Sequence, residues 1–368
     1  MAQAKPKKLG AVEKKLVGVA DLVITAAEKR KDPTIAIPVR SLSNVEFNER
    51  KGLIEMGKRK QARSFFNVAM AKKFMQTVLV ADALSELQRA NLTTSLREIY
   101  YRTKHTIKDS HENTFDTQDE SDPIIEDLEV SLAVLREELH MRAENGGSVV
   151  GPLVLGDDGD RVDCSRLGKG GYSVPSIVEP EYLDILKCTA DFVLLVEKGT
   201  QWNRLSEDKF WKKYNCVLLT GNGQPPRGVR RLARRLHEEK KLPVYVLVDN
   251  DPWGYYIYSV VKQGSINLAF ESERMAIPKA KFVGLSSADP ERYKLPRNVG
   301  IKLNDKDISR AKELLNYQWF QKKPWQVEIK RMLSSGLKYE LDALASKDFQ
   351  FLTKQYLPGK LKEEDWLD

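Results

Sequence analysis

Apolar residues recur with helical spacing near the start of the chain, at Val12, Leu16, Val19, Val23 and Ala27, and this spacing predicts an amphipathic helix. A short strand is expected at 34–39. From Ala69 to about Leu139 the helical period dominates in three pieces: 69–90, a helix around Tyr100, and 124–139. The break Asn91-Leu92-Thr93-Thr94 between the first two resembles the turn of a helix-turn-helix. Beyond Asp191 the texture changes. Short runs of buried type at 192–196, 216–220, 244–248 and 282–285, with helical patterns between the first three, predict parallel βαβ units. From Asp307 the pattern is helical again, with Leu314, Leu315, Trp319, Met332 and Leu341 as core or interface positions.

Two adjacent tyrosines separate cleanly on this pattern. Ser95 followed three residues later by Glu98 reads as a capping box that starts a helix. On that helix Leu96, Ile99, Tyr100 and Thr103 form one apolar stripe, so Tyr100 points inward. Tyr101 lies about 100° around the axis, with Arg97, Lys104 and His105 as its helical neighbours. A phenol titrates near 10 and is a weak nucleophile unless cations stabilise the phenolate. The same cations hold phosphate, which suggests a tyrosine presented to a phosphodiester. An ordinary amphipathic helix with a solvated basic side has the same pattern.

After the third helix, Asn145-Gly146-Gly147 lies between two β-type runs and reads as a hairpin, giving three helices a β-wing. A winged helix is therefore expected, with the tyrosine helix facing nucleic acid or a protein partner. The expected division is a basic N-terminal extension at 1–68, a winged-helix domain at 69–150, and an α/β domain with C-terminal helices at 151–368.

The 368 residues exceed one simple core, and 41% hydrophobic with 30% charged residues describes a globular chain. Sixty Lys and Arg against 52 Asp and Glu give +8, which permits an anionic partner. The charge is clustered: Arg50, Lys51, Lys58, Arg59, Lys60 and Arg63 crowd one stretch, whereas 109–127 carries eight acids and no Lys or Arg, with no role assigned to it. Cys164, Cys188 and Cys216 have neither metal nor disulfide spacing, and Asp21 interrupts the apolar run 16–27. A cytoplasmic, nucleoid-associated protein with no membrane segment is expected. No Gly-x-x-x-x-Gly-Lys-Ser/Thr sequence is present.

The strand at 192–196 runs into Glu197, and the strand at 244–248 into Asp249 and Asp251. Ligands gather outside the carboxyl ends of such strands, and three converging carboxylates there suit Mg²⁺. Acids at strand ends are also common as caps. Between these strands a Gly-rich turn, 221–227, leads into a helix bearing Arg227, Arg230, Arg231 and Arg234, an arrangement able to bracket a nucleic-acid backbone. A solvated helix face remains the plainer reading for at least half of these arginines.

Ser-x-Arg-Glu-Ile-Tyr-Tyr in a winged-helix setting, then Val-Glu-Lys-Gly and Val-Asp-x-Asp-Pro-x-Gly in an α/β sheet, resembles the A subunit of type IIB DNA topoisomerase VI and its relative, the meiotic double-strand-break transesterase. The resemblance runs from the basic N-terminal segment to the C-terminal helices. It implies an α+β fold in which a CAP-like winged helix precedes a Rossmann-like Toprim domain. It further implies that Tyr101 attacks a DNA phosphodiester to leave a 5′-phosphotyrosyl link, that Arg97 stabilises the phosphate, and that Glu197, Asp249 and Asp251 hold Mg²⁺. Double-stranded DNA, a homodimer in which each tyrosine approaches the other protomer's acids, and an ATP-binding B subunit completing an A2B2 heterotetramer follow from the same resemblance. The competing readings are a Toprim metal-dependent nuclease and a non-catalytic DNA-binding assembly subunit.

Overall fold

The computed structural model describes residues 10–143 and 145–367; the lysine-rich start at 1–9 lies outside them. The chain forms two compact units, one of 1–44 with 57–144 and one of 45–56 with 145–368. Neither expected boundary, at 68/69 or 150/151, coincides with this division.

In the first unit the helix Ala11–Glu28 packs on the helix Val68–Ala90, and the strand Thr34–Pro38 pairs antiparallel with Lys60–Ser64. The N-terminal segment is thus built into the unit that carries the tyrosines. Leu16, Ile37, Phe74, Leu84, Ile99, Phe115, Ile124 and Leu128 fill a common core. The acidic stretch has a structural explanation here. Buried Asp127 bonds to Arg40 and to Arg63, Glu126 pairs with Arg40, and Asp116 with Lys72, so acids from 109–127 neutralise basic residues drawn from the N-terminal half. The third helix runs Gln118–Leu132 rather than 124–139; it carries Pro123 and ends where Ala133 turns left-handed at φ 49°.

Among the described residues the expected β-wing does not form. Met141–Arg142 makes a short parallel pair with Thr94–Ser95, while Ser148–Val150 joins the large sheet of the second unit. Gly147, at φ +82°, is required for close approach: a Cβ there would lie 2.0 Å from the Thr220 carbonyl oxygen. The glycines at 146–147 serve packing, not a hairpin. The nearby two-residue hairpin is instead Asp158-Gly159, joining Leu153–Asp157 to Asp160–Asp163 in a three-stranded sheet with Leu183–Cys188.

The second unit is built on a six-stranded sheet whose order is Tyr172–Ser173, Ser148–Val150, Cys216–Thr220, Phe192–Val196, Val244–Leu247 and Lys281–Phe282. The last four run parallel, as the alternation of strand and helix patterns predicts. Val193, Leu195, Val217 and Leu219 face one core while Leu194, Val196 and Leu218 face the other, so both sheet faces are covered. The helices Asp305–Asn316 and Lys323–Ser335 close one side, and Leu314, Trp319, Met332 and Leu341 are buried as expected. Among the described residues no helix is long and apolar enough to cross a membrane.

Candidate active site

The tyrosine helix spans Leu96–Thr103, and its capping box is complete: Ser95 Oγ accepts from the Glu98 amide at 3.2 Å, and Glu98 Oε2 accepts from the Ser95 amide at 2.8 Å. A hydrogen bond from Thr94 also helps hold the Glu98 carboxyl below its usual range. Ile99, Tyr100 and Thr103 are buried. The Tyr100 hydroxyl donates to the Asp116 carbonyl at 2.9 Å and accepts from Lys104 Nζ at 2.7 Å, so it is a fixed part of the helix's seat. Tyr101 is 60% exposed, and the Arg97 guanidinium lies over its ring at 5.9 Å.

The helical phase therefore separates the two side chains as expected, but one basic neighbour moves. Lys104 reaches Tyr100 and the Asp116 carbonyl rather than Tyr101, because it follows the last helical residue on extended backbone. His105 is exposed beside it, its amide held by Thr114 Oγ1 at 3.0 Å.

At the carboxyl edge of the parallel sheet, Glu197 and Asp249 follow adjacent strands, and the Asp249 amide donates to Glu197 Oε2 at 3.1 Å. Asp251 caps the helix Pro252–Lys262, accepting from the Gly254 amide at 2.6 Å. A side chain at 254 would run into the Asp249 carbonyl oxygen, 2.6 Å from the Cβ position, which explains the glycine in Asp-x-Asp-Pro-x-Gly. Burial and the neighbouring Asp249 charge push Glu197 up to about 7; burial likewise raises Asp249 to about 6 and raises Asp251. The three acids influence one another's charge, yet among the described residues no three Asp, Glu, His or Cys side chains form a ready-made ligand cluster. The expected convergence is partial.

Lys198 lies among these acids. Its Nζ lies 3.0 Å from Asp249, 2.8 Å from Glu340 and 3.0 Å from Asp342. Burial alone would lower its pKa, but the surrounding acids outweigh it and the ammonium is held charged. The Val-Glu-Lys-Gly run contains this lysine, but only the fold brings residues 340 and 342 to it. Enclosed all-oxygen donors whose charged forms disfavour one another fit a hard divalent cation.

The arginine helix corrects the sequence reading. On Arg227–Lys240, Arg227 pairs with Glu271 at 2.7 Å, Arg231 makes a two-pronged contact with Glu179, and Arg234 pairs with Glu238 and donates to the Ala276 carbonyl. Arg230 is buried, and burial pushes its guanidinium down to about 10. Three of these side chains are engaged within the fold and the fourth is enclosed by it, so the four do not form an open nucleic-acid face. The pattern conceals this because the partners Glu179 and Glu271 lie 40 or more residues away.

Three family models match the chain: type IIB DNA topoisomerase over residues 72–141, the all-beta domain in DNA topoisomerase VI alpha subunit over 143–189, and the Toprim domain shared by Spo11 and the topoisomerase 6 A subunit over 192–361. The A subunit of type 2 DNA topoisomerase 6 from Pyrococcus horikoshii is 45% identical over 96% of this chain and 94% of its own length. The Aeropyrum pernix protein of the same name is 43% identical over 94% and 93%. The A3 subunit of DNA topoisomerase 6 from Oryza sativa subsp. indica is 36% identical over 91% of this chain and 74% of its own length.

Proposed function

The chain belongs to the topoisomerase VI A-subunit family and is the DNA-cleaving component of a type IIB topoisomerase, and on that premise we propose that Tyr101 is the group that cuts and rejoins the strand. The observation that supports the assignment is the contrast within the tyrosine pair: Tyr100 is buried and doubly hydrogen-bonded, whereas Tyr101 presents its phenol to solvent beside Arg97.

In this reading Tyr101 Oη bonds to phosphorus as the bond from phosphorus to the 3′ oxygen breaks. The phenol releases its proton, and the departing oxygen takes one up as a hydroxyl. One phosphodiester replaces another, so the broken strand stays joined through the enzyme and the reverse attack restores it. Arg97 offers its guanidinium to the charge that builds on the phosphate. The rigid seat of Tyr100 holds the helix so that the neighbouring phenol is presented in one orientation.

The Toprim domain binds divalent metal, and we assign the ligands to Glu197, Asp249 and Asp251 and the ion to Mg²⁺. When bound, such an ion neutralises phosphate charge and stabilises the leaving oxygen. The family acts on DNA in a complex with a B subunit. We assign ATP to that partner and the assembly to A2B2, with two copies of this chain pairing so that each Tyr101 works at its partner's acids, on nucleoid DNA.

The test is covalent trapping. The intact chain, mixed with its B subunit, Mg²⁺, ATP and supercoiled DNA, then denatured, should yield a phosphotyrosyl peptide containing Tyr101. Tyr101→Phe should give none. Cutting that persists in Tyr101→Phe with free 5′ ends would replace this reading with a metal-dependent nuclease.

A further inference from the structure

The six-residue segment 337–342 lies along the acid edge as a strap. Its Tyr339 exchanges both backbone hydrogen bonds with Asn250, at 2.9 and 3.0 Å, and its Leu341 amide donates to Asp249 Oδ1 at 2.7 Å. Tyr339 and Leu341 are buried, whereas Glu340 is half-buried and Asp342 exposed. Glu340 and Asp342 both hold the ammonium of Lys198, whose third partner is Asp249. The carboxylate expected to ligate a metal is therefore already engaged on both oxygens: Oδ1 by the strap's backbone and Oδ2 by Lys198.

We propose that Lys198 is the resident counter-cation of the acid edge: it must leave Asp249 before that carboxylate can take a divalent ion, and the strap acids Glu340 and Asp342 hold it when it does. The inference rests on the acid edge being the metal-binding edge. Three features carry it. Asp249 is almost fully buried, at 5% side-chain exposure, so its charge needs a cation close by. Glu340 and Asp342 are about half exposed, so they can keep the ammonium without the cost of burying it. The lysine stem is flexible and its three donors rotate freely, so a change of partner needs little rearrangement of the backbone. Lys198 is in this sense a positioning residue, setting how readily Asp249 receives its ion.

The inference predicts opposite signs for two changes. Mg²⁺ titrated calorimetrically into the full chain, without DNA, should bind Lys198→Met about tenfold more tightly than wild type, because a competing positive charge is gone. The paired change Glu340→Gln with Asp342→Asn should weaken binding several-fold, because Lys198 then has only Asp249. Combined with Lys198→Met, the same pair should weaken binding much less, a non-additive cycle that reports action through the lysine. Should Lys198→Met fail to fold by circular dichroism, Lys198→Gln takes its place in every arm. Equal or weaker binding after removal of the lysine overturns the inference, as does an additive cycle. Asp249→Ala is the control for the underlying reading: if it binds Mg²⁺ as wild type does, the acid edge is not the metal site and both fall.

Discussion

The tyrosine helix and the arginine helix look alike in sequence, each with an apolar stripe and a row of basic residues around it, yet the fold uses them in opposite ways. On Leu96–Thr103 the cation beside the exposed tyrosine, Arg97, is itself exposed. On Arg227–Lys240 the cations Arg227, Arg231 and Arg234 end on Glu271, Glu179 and Glu238. What differs is the covering. Glu179 and Glu271 reach the arginine helix from distant segments; on the tyrosine helix Glu86 takes Arg102, and Arg97 stays exposed beside Tyr101. A basic helix is an open surface for DNA only where no acid from elsewhere in the chain closes over it.

The largest effect that would test this contrast lies inside the tyrosine pair. Tyr101→Phe should abolish the trapped DNA adduct, by a thousandfold or more on the order of lost nucleophilic catalysis, while Tyr100→Phe should lower thermal stability and still form the adduct. An adduct lost equally in both would erase the distinction between them.

Next comes the arginine helix. Arg231→Ala removes a two-pronged contact and leaves Glu179 with Arg274, and it should cost about 2–3 kcal/mol in denaturant unfolding. The salt dependence of duplex binding should not change. Arg97→Ala should do the reverse, leaving stability near wild type and reducing the salt slope by about one. A reduced salt slope in Arg231→Ala would return that arginine to the DNA surface.

A pH effect separates paired from unpaired carboxylates. Among the described residues Glu197 has no ion pair of the kind Asp249 has, and its carboxyl titrates at about 7 in the fold. Between the ordinary value near 4.3 and about 7 the folded chain therefore holds a proton that the unfolded chain has released, so stability falls as pH rises through that window. With chelator present, Glu197→Gln should raise the melting temperature at pH 8 and leave it unchanged at pH 4; equal effects at both would contradict the assignment. The smallest change concerns Lys104, whose ammonium is held by the Tyr100 hydroxyl and the Asp116 carbonyl. Lys104→Met should shift melting only slightly and leave the salt slope unaltered, whereas a lowered slope would restore it to the nucleic-acid face.

The elements that sequence reading recovers well are those fixed by local period. The strands at 192–196 and 216–220 and the helix at 69–90 stand within a residue of expectation, and the capping box at Ser95 forms as written. What depends on partners far along the chain leaves no such local trace. Gly146-Gly147 carries a hairpin signal, but the Thr220 carbonyl and Val229 leave room for nothing larger at 147. The Asp-Gly pair at 158–159 carries an equally local signal, and there the hairpin does form. The acids of 109–127 acquire a role only once Arg40, Arg63 and Lys72 are brought to them.

By itself, then, the sequence determined the phase of Tyr101 against Tyr100, the parallel strands, and the placing of Glu197, Asp249 and Asp251 at strand ends, because each follows from spacing over a few residues. Only the tertiary structure decided which charges stay open. It joined the N-terminal helix to the tyrosine unit, closed the arginine helix with Glu179 and Glu271, and laid the strap with Glu340 and Asp342 over Lys198. Those outcomes depend on segments tens to more than a hundred residues apart, and burying a charge obliges the fold to supply a partner that no local pattern records.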